Sequence, residues 1–282
     1  MRMDRKIPYE VWKNKIDCHT HIVDRETKDA YFGRTEGIAL VMQMPESLMP
    51  NPDTVQTVQS DRRLFLNAAV DRKKPIAPQL REIEAHLLDW KVVGLKIYLT
   101  YQRGRASDPE LFPVYEFASK HRLTVTFHTG LCSLVLPSDN DMEGSNAKYI
   151  ALMAEKYPDV SFVIAHLDDP RFTDCVRILS EHDNLYSDVS GAYETGTKEG
   201  NDVGGAIAVF REALLSRPGM EKKILYGTDF SPALNMDQLE EYDETMAAIF
   251  EENAFADLYR NNCLRAFPRL RMYLGEEVGN SP

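Results

Sequence analysis

Cysteine is scarce in this chain, and the four present (Cys18, Cys132, Cys175 and Cys263) are scattered with no CxxC pair among them. That spacing argues against a disulfide framework or a thiolate zinc site and fits a reducing cytoplasm. Long hydrophobic runs are missing as well. No stretch approaches the roughly 20 apolar residues that span a bilayer. The opening Met1-Arg-Met-Asp-Arg-Lys-Ile-Pro8 is too polar and charged for a secretory signal. Positive charge is in deficit, with 33 Lys and Arg against 44 Asp and Glu and a net charge of −11. Without a basic stripe the chain is a poor partner for nucleic acid, because phosphate binding needs a positive face. Low-complexity segments, internal repeats and linkers are also absent. These absences lead us to expect a cytoplasmic protein of one domain over residues 1–282, with neither membrane nor nucleic acid as partner. Homo-oligomerisation stays open.

What the chain does have is a repeating pattern. Apolar runs rich in Val, Ile, Leu and Phe lie near Ile16–His21, Gly37–Met44, Leu64–Asp71, Val92–Leu99, Leu123–His128, Val160–Leu167, Asn184–Val189 and Ile224–Asp229. Runs that are apolar on both faces suit parallel strands covered by helices. Helical patterns separate them, as at Pro109–Lys120, Ser145–Lys156, Phe172–Ser180, Val203–Leu215, Asp237–Glu251 and Ala254–Phe267. Eight βα repeats make an α/β fold, a (β/α)8 TIM barrel. Its active face is built from the loops after the strands, and the longer of these are Thr100–Asp108, Leu131–Gly144 and Gly191–Asp202.

Of seven histidines, four fall at the C-terminal ends of these runs. His19 and His21 close the first, in Ile16-Asp-Cys-His-Thr-His21. Strand alternation puts residues two apart on one face, so both imidazoles are expected inside the barrel, with Cys18 and Thr20 towards the helices. His128 ends the fifth run, His166 the sixth and Asp229 the eighth, while Lys96 lies in the fourth. Buried charges and imidazoles at converging strand ends are expensive unless paired or metal-bound. Imidazole nitrogen with carboxylate oxygen is a donor set for Zn²⁺ or a similar divalent ion.

The order HxH, Lys, His, His, Asp resembles the amidohydrolase superfamily, in its amidohydrolase 2 branch of metal-dependent hydrolases. The likeness extends from Ile16-Asp-Cys-His-Thr-His21 to Tyr259-Arg-Asn-Asn-Cys-Leu-Arg265. It implies that His19, His21, His128 and Asp229 hold a divalent metal, most simply zinc. His166 would bind a second metal or hold the attacking water and the substrate. Gly94-Leu-Lys-Ile-Tyr98 is similar to the fourth strand of ureases and dihydropyrimidinases, where a carboxylated lysine bridges two ions. The other reading keeps Lys96 as an ammonium that binds a substrate carboxylate beside one ion.

The chemistry implied is hydrolysis of an amide, lactone or ester-like bond of a small anionic molecule, with a lyase (decarboxylase or hydratase) as the alternative. Asp229 is the expected general base and then acid, His166 the oxyanion partner and Lys96 the third catalytic group. Tyr98, Arg103 and Arg105 are candidate substrate contacts, the arginines as carboxylate or phosphate clamps; for each arginine a solvated basic loop is the competing reading. Ser190 is either a substrate contact or a turn residue, and Cys132 is read as a small buried hydrophobe rather than a nucleophile. His86, His121 and His182 are expected at helix surfaces or ends, Trp12 and Trp90 against barrel helices. Glu240-Glu-Tyr-Asp-Glu244 is expected to be a solvated helix face.

Overall fold

Eight strands pair in parallel in the order β1 to β8, each with its sequence neighbour. They are Ile16–Thr20 (β1), Ile38–Met42 (β2), Leu64–Ala69 (β3), Val92–Tyr98 (β4), Thr124–His128 (β5), Phe162–Ile164 (β6), Leu185–Asp188 (β7) and Ile224–Leu225 (β8). The computed structural model describes residues 7–131, 137–191, 203–231 and 239–276. Hydrogen bonds between β1 and the segment around β8 close the sheet: Cys18 N to Tyr226 O (2.9 Å), Asp229 N to His19 O (2.8 Å) and His21 N to Phe230 O (2.6 Å). A helix follows each strand, from Arg25–Phe32 after β1 to Leu239–Ile249 after β8. This is a (β/α)8 barrel. Among the described residues no helix is long and apolar enough to cross a membrane.

Both faces of the strands are buried, as continuous apolar runs require, but they face different cores. Val41, Leu66, Ile97, Phe127 and Ile164 pack outward under the helices. Ile16, Leu40, Phe65, Val93, Val163 and Leu225 form a second cluster with Cys263, Phe267 and Leu270. Those last three sit in or beside helices Asn262–Ala266 and Pro268–Leu274, which plug the N-terminal end of the barrel. The other end is left for polar groups.

Cys18 corrects the expected alternation in β1. It packs in the inner cluster with Ile16, not towards the helices, while Asp17 points outward and accepts from Tyr31 Oη (2.8 Å) and Thr228 Oγ1 (2.6 Å). The cause is a bulge. Asp17 pairs with Ala39 and Thr20 with Val41, so β1 advances three residues where β2 advances two. An extra residue reverses the alternation beyond it. Strict alternation from Ile16 would have sent His19 and His21 outward; the bulge turns both into the barrel.

Two strand ends also differ from the expected spans. Regular pairing stops at Ile164 and Leu225, so His166 and Asp229 stand in the turns beyond, with φ of 62° and 54°. Left-handed backbone at non-glycine residues costs of order 1 kcal/mol or more each and collects at functional sites. The Thr100–Asp108 loop begins within a helical turn, Leu99–Gln102, and the Ala254–Phe267 helix includes a wide turn over Asp257–Asn261. His86 and His182 cap helix ends and His121 ends the helix Phe112–His121. Trp12 donates to Asp243 Oδ2 (3.0 Å), and Trp90 packs on the outer core.

Candidate metal centre at the barrel mouth

His19, His21 and Asp229 converge. Asp229 Oδ1 lies 3.3 Å from His19 Nε2 and 3.2 Å from His21 Nε2. These are donor atoms within reach of one ion. The partners of the opposite ring nitrogens decide what these atoms carry. His21 Nδ1 is 3.0 Å from Met42 O, and a carbonyl only accepts, so Nδ1 bears the proton and Nε2 a lone pair. His166 Nδ1 faces Ser190 O at 2.6 Å and is protonated for the same reason. Its Nε2 therefore accepts from His128 Nδ1 (3.1 Å), which leaves His128 Nε2 with a lone pair. That atom is buried with no hydrogen-bond partner, and so is Asp229 Oδ1. Acceptors that converge without a proton between them are poised for a cation.

Burial favours neutral rings at His19 and His128 beside an ionised Asp229 carboxylate. Burial, reinforced by the Lys96 ammonium, pushes His19 down to about 4. Burial, with His166 and Lys96 beside it, holds His128 well below the usual histidine range. For Asp229 burial works in the opposite sense, but His19, His21 and His166 outweigh it and hold the carboxyl below its ordinary value. Lys96 is fully buried, with Nζ 3.4 Å from His19 Nε2. Burial lowers it to about 8 against the attraction of Asp188 and Asp229.

His128 stands one ring away from the three converging donors, against His166, their centroids 4.7 Å apart. Tyr98 borders the same region: it donates to Gln43 O (3.1 Å), and its ring stacks 6.1 Å from that of His128. Tyr101 lies over His128 at 4.4 Å. Arg103 and Arg105 are not brought to this cluster by any described contact. Arg103 is 65% exposed and lies 3.6 Å from Asp139, and the Arg105 guanidinium sits over the Tyr149 ring at 4.7 Å. Ser190 is buried between His19 and His166. Gly191 is held at φ 64°, and a Cβ there would meet Asp229 Oδ2 at 2.8 Å and His166 Nδ1 at 3.0 Å. Cys132 lies outside the described residues.

Asp188 was missed by the sequence reading. It ends β7, is fully buried and lies 3.2 Å from His19 Nδ1. With His19 and His166 it forms a second group of metal-binding type. The signal was available: a carboxylate at the C-terminal end of an apolar strand is the pattern that singled out Asp229.

The barrel and its mouth define an enzyme scaffold of the TIM-barrel class with its polar groups at the C-terminal face. A family model described as amidohydrolase matches residues 51–269, and the chain belongs to that family. It is an enzyme of the amidohydrolase superfamily, a metal-dependent group. The matched span begins after β1, so His19 and His21 enter the site on geometry. No curated protein matches the chain in sequence. Among solved structures it is similar to an uncharacterized TIM-barrel protein from Bordetella bronchiseptica (TM-score 0.68, 15% identity, 91% of this chain and 99% of that one). It is similar also to a zinc-bound amidohydrolase from Burkholderia multivorans (TM-score 0.67, 12% identity, 90% and 99% covered). A third is the 5-carboxyvanillate decarboxylase of Sphingomonas paucimobilis (TM-score 0.56, 14% identity, 91% and 99% covered).

Proposed function

We propose that this enzyme is a metal-dependent hydrolase that cleaves an amide, lactone or ester-like bond of a small anionic molecule, using one divalent ion. The observation that carries the reading is the convergence of His19 Nε2, His21 Nε2 and Asp229 Oδ1, with His21 Nε2 left as a lone pair and Asp229 Oδ1 without a hydrogen-bond partner. Imidazole and carboxylate donors suit zinc. His128, whose Nε2 has no partner, is the candidate to complete the set.

A bound ion of this kind supplies Lewis acidity, acidifying a water and polarising the carbonyl under attack. The chain's own groups do the rest. Asp229, kept ionised, accepts the proton of the attacking water and returns it to the leaving group. Lys96 is the cation placed to hold a substrate carboxylate: its ammonium is fully buried, where a charge is costly and an arriving anion offsets part of that cost. His166 keeps the His128 ring turned so that its Nε2 lone pair faces away from their mutual hydrogen bond. Tyr98 and Tyr101 form an aromatic wall beside that ring for the apolar part of a substrate.

The lyase alternative rests on the likeness to a decarboxylase structure, since one ion and one buried lysine also suit a substrate that loses CO₂. The test begins with metal. The native protein should hold one divalent ion per chain, and a chain that takes up none after dialysis against zinc or manganese sinks the proposal. The loaded enzyme, offered lactones, amides and aromatic carboxylates in ¹⁸O-water, should place label in the product. Release of CO₂ with no label in the organic product would favour the lyase.

A further inference from the structure

Three of the imidazoles have backbone or imidazole neighbours that fix their tautomers. His19 does not. Its Nδ1 faces Asp188 Oδ2 at 3.2 Å and Ser190 Oγ at 3.0 Å. The Ser190 hydroxyl donates to Asp188 Oδ1 at 2.5 Å, so its proton is committed and only its lone pairs face the ring. Asp188 Oδ1 also accepts from the backbone amides of His166 (3.1 Å) and Ser190 (3.0 Å). Every group around His19 Nδ1 therefore accepts.

We infer that Asp188, with Ser190 as its partner, is the positioning residue that fixes His19 as the Nδ1–H tautomer and so presents its Nε2 lone pair to the metal. The inference rests on the metal reading of the site. It also assigns Asp188 between the two groups of metal-binding type, which share His19. Were Asp188 to ligate an ion through the Nδ1 side, His19 would have to give both nitrogens to cations. As a hydrogen-bond acceptor it leaves one nitrogen for one ion. Carboxylates that take the distal N–H of a ligating histidine orient the ring and raise its basicity. Asp188 further ties β7 to the start of the turn that carries His166, so one buried carboxylate aligns side chains from two sides of the barrel.

The Asp188→Asn variant separates this role from a merely structural one. Its carbonyl can still take the amides of His166 and Ser190, which turns its NH₂ towards His19 Nδ1. The donor then forces the proton onto Nε2, against Asp229, and blocks the lone pair. Zinc affinity, measured by competition with a chromophoric chelator, should fall 10- to 100-fold, with apo-protein circular dichroism and melting close to wild type. Ser190→Ala, which keeps the carboxylate, should fall by less. An Asp188→Asn protein that is folded and binds zinc like wild type overturns the inference. A second measurement needs no variant at residue 188. ¹⁵N-histidine NMR of the apo wild type, with the His19 signals assigned by their loss in His19→Gln, should show a proton on Nδ1. A proton on Nε2 overturns the inference even if Asp188→Asn fails to fold. Absence of zinc binding by the wild type would defeat the metal reading instead, and the tautomer would still decide the role of Asp188.

Discussion

The barrel interior has two layers built by the same strands, and they differ in almost every physical respect. At the N-terminal end Ile16, Leu40, Phe65, Val93 and Leu225 meet Phe267 and Leu270 from the closing helices. At the C-terminal end, on the same strands or the turns just beyond, stand His19, Lys96, His128, Asp188 and Asp229. The lower layer gains from burial; every group of the upper layer gives up hydration to be there. The upper layer also holds left-handed backbone at His166 and Asp229 and acceptor atoms without partners. Such a division is expected where packing below holds a costly arrangement in place above.

Substitutions in the two layers should therefore have opposite signatures. The largest effect belongs to Asp229→Asn, which should lower turnover of a true substrate about 10³-fold, roughly 4 kcal/mol. Apo melting should fall by less than for a lower-layer variant, because Asp229 Oδ1 has no hydrogen-bond partner to leave behind. Leu40→Ala in the lower layer should do the reverse. It should cost about 3 kcal/mol in urea denaturation and leave the metal content of the folded protein unchanged. Equal loss of stability from the two variants would dissolve the contrast.

Asp169 tests the edge of the upper layer. Its carboxyl is buried with both oxygens unpartnered. Burial, with Asp168 adding to it and Arg171 opposing, raises it from 3.8 to about 7. The native state then keeps a proton that the unfolded chain has lost, so stability should drop as pH climbs from about 4 to 7 and level off above. Asp169→Asn, neutral throughout, should remove that slope and gain on the order of 2 kcal/mol at alkaline pH relative to wild type. Denaturation midpoints across pH would show it, and an unchanged slope would count against the buried charge. The smallest effect is expected at the rim. Arg103→Ala loses an exposed pair with Asp139 and a long hydrogen bond to Ser138 O (3.4 Å) and should shift stability by less than about 0.5 kcal/mol, with KM within roughly twofold. A large rise in KM would bring Arg103 back to the substrate.

Much of this was legible in the linear sequence for a simple reason. Parallel strands buried on both faces leave continuous apolar runs, so the eight repeats and the barrel could be read directly, and polar groups at the ends of such runs stood out. Asp188 was harder to read because Ser190 follows the same run two residues later, and the hydroxyl's part is set by the carboxylate it donates to. The arginines are less legible still. Arg103 and Arg105 follow β4, but loop backbone carries no periodicity from which their direction could be read, and tertiary partners at Asp139 and Tyr149 take them.

The sequence by itself determined the barrel, the repeats that carry His19, His21, Lys96, His128, His166 and Asp229 at or just beyond their strands, and membership of a metal-dependent superfamily. Only the tertiary structure decided which way those side chains face and which nitrogen each imidazole offers. The bulge between Asp17 and Thr20 exists in the pairing of β1 with β2, and alternation read along one strand gives the wrong face for Cys18. The tautomers depend on Met42 O, Ser190 O and Asp188, each contributed by another strand or the loop beyond it. Facing and protonation are properties of neighbours in space, and chain order records neither.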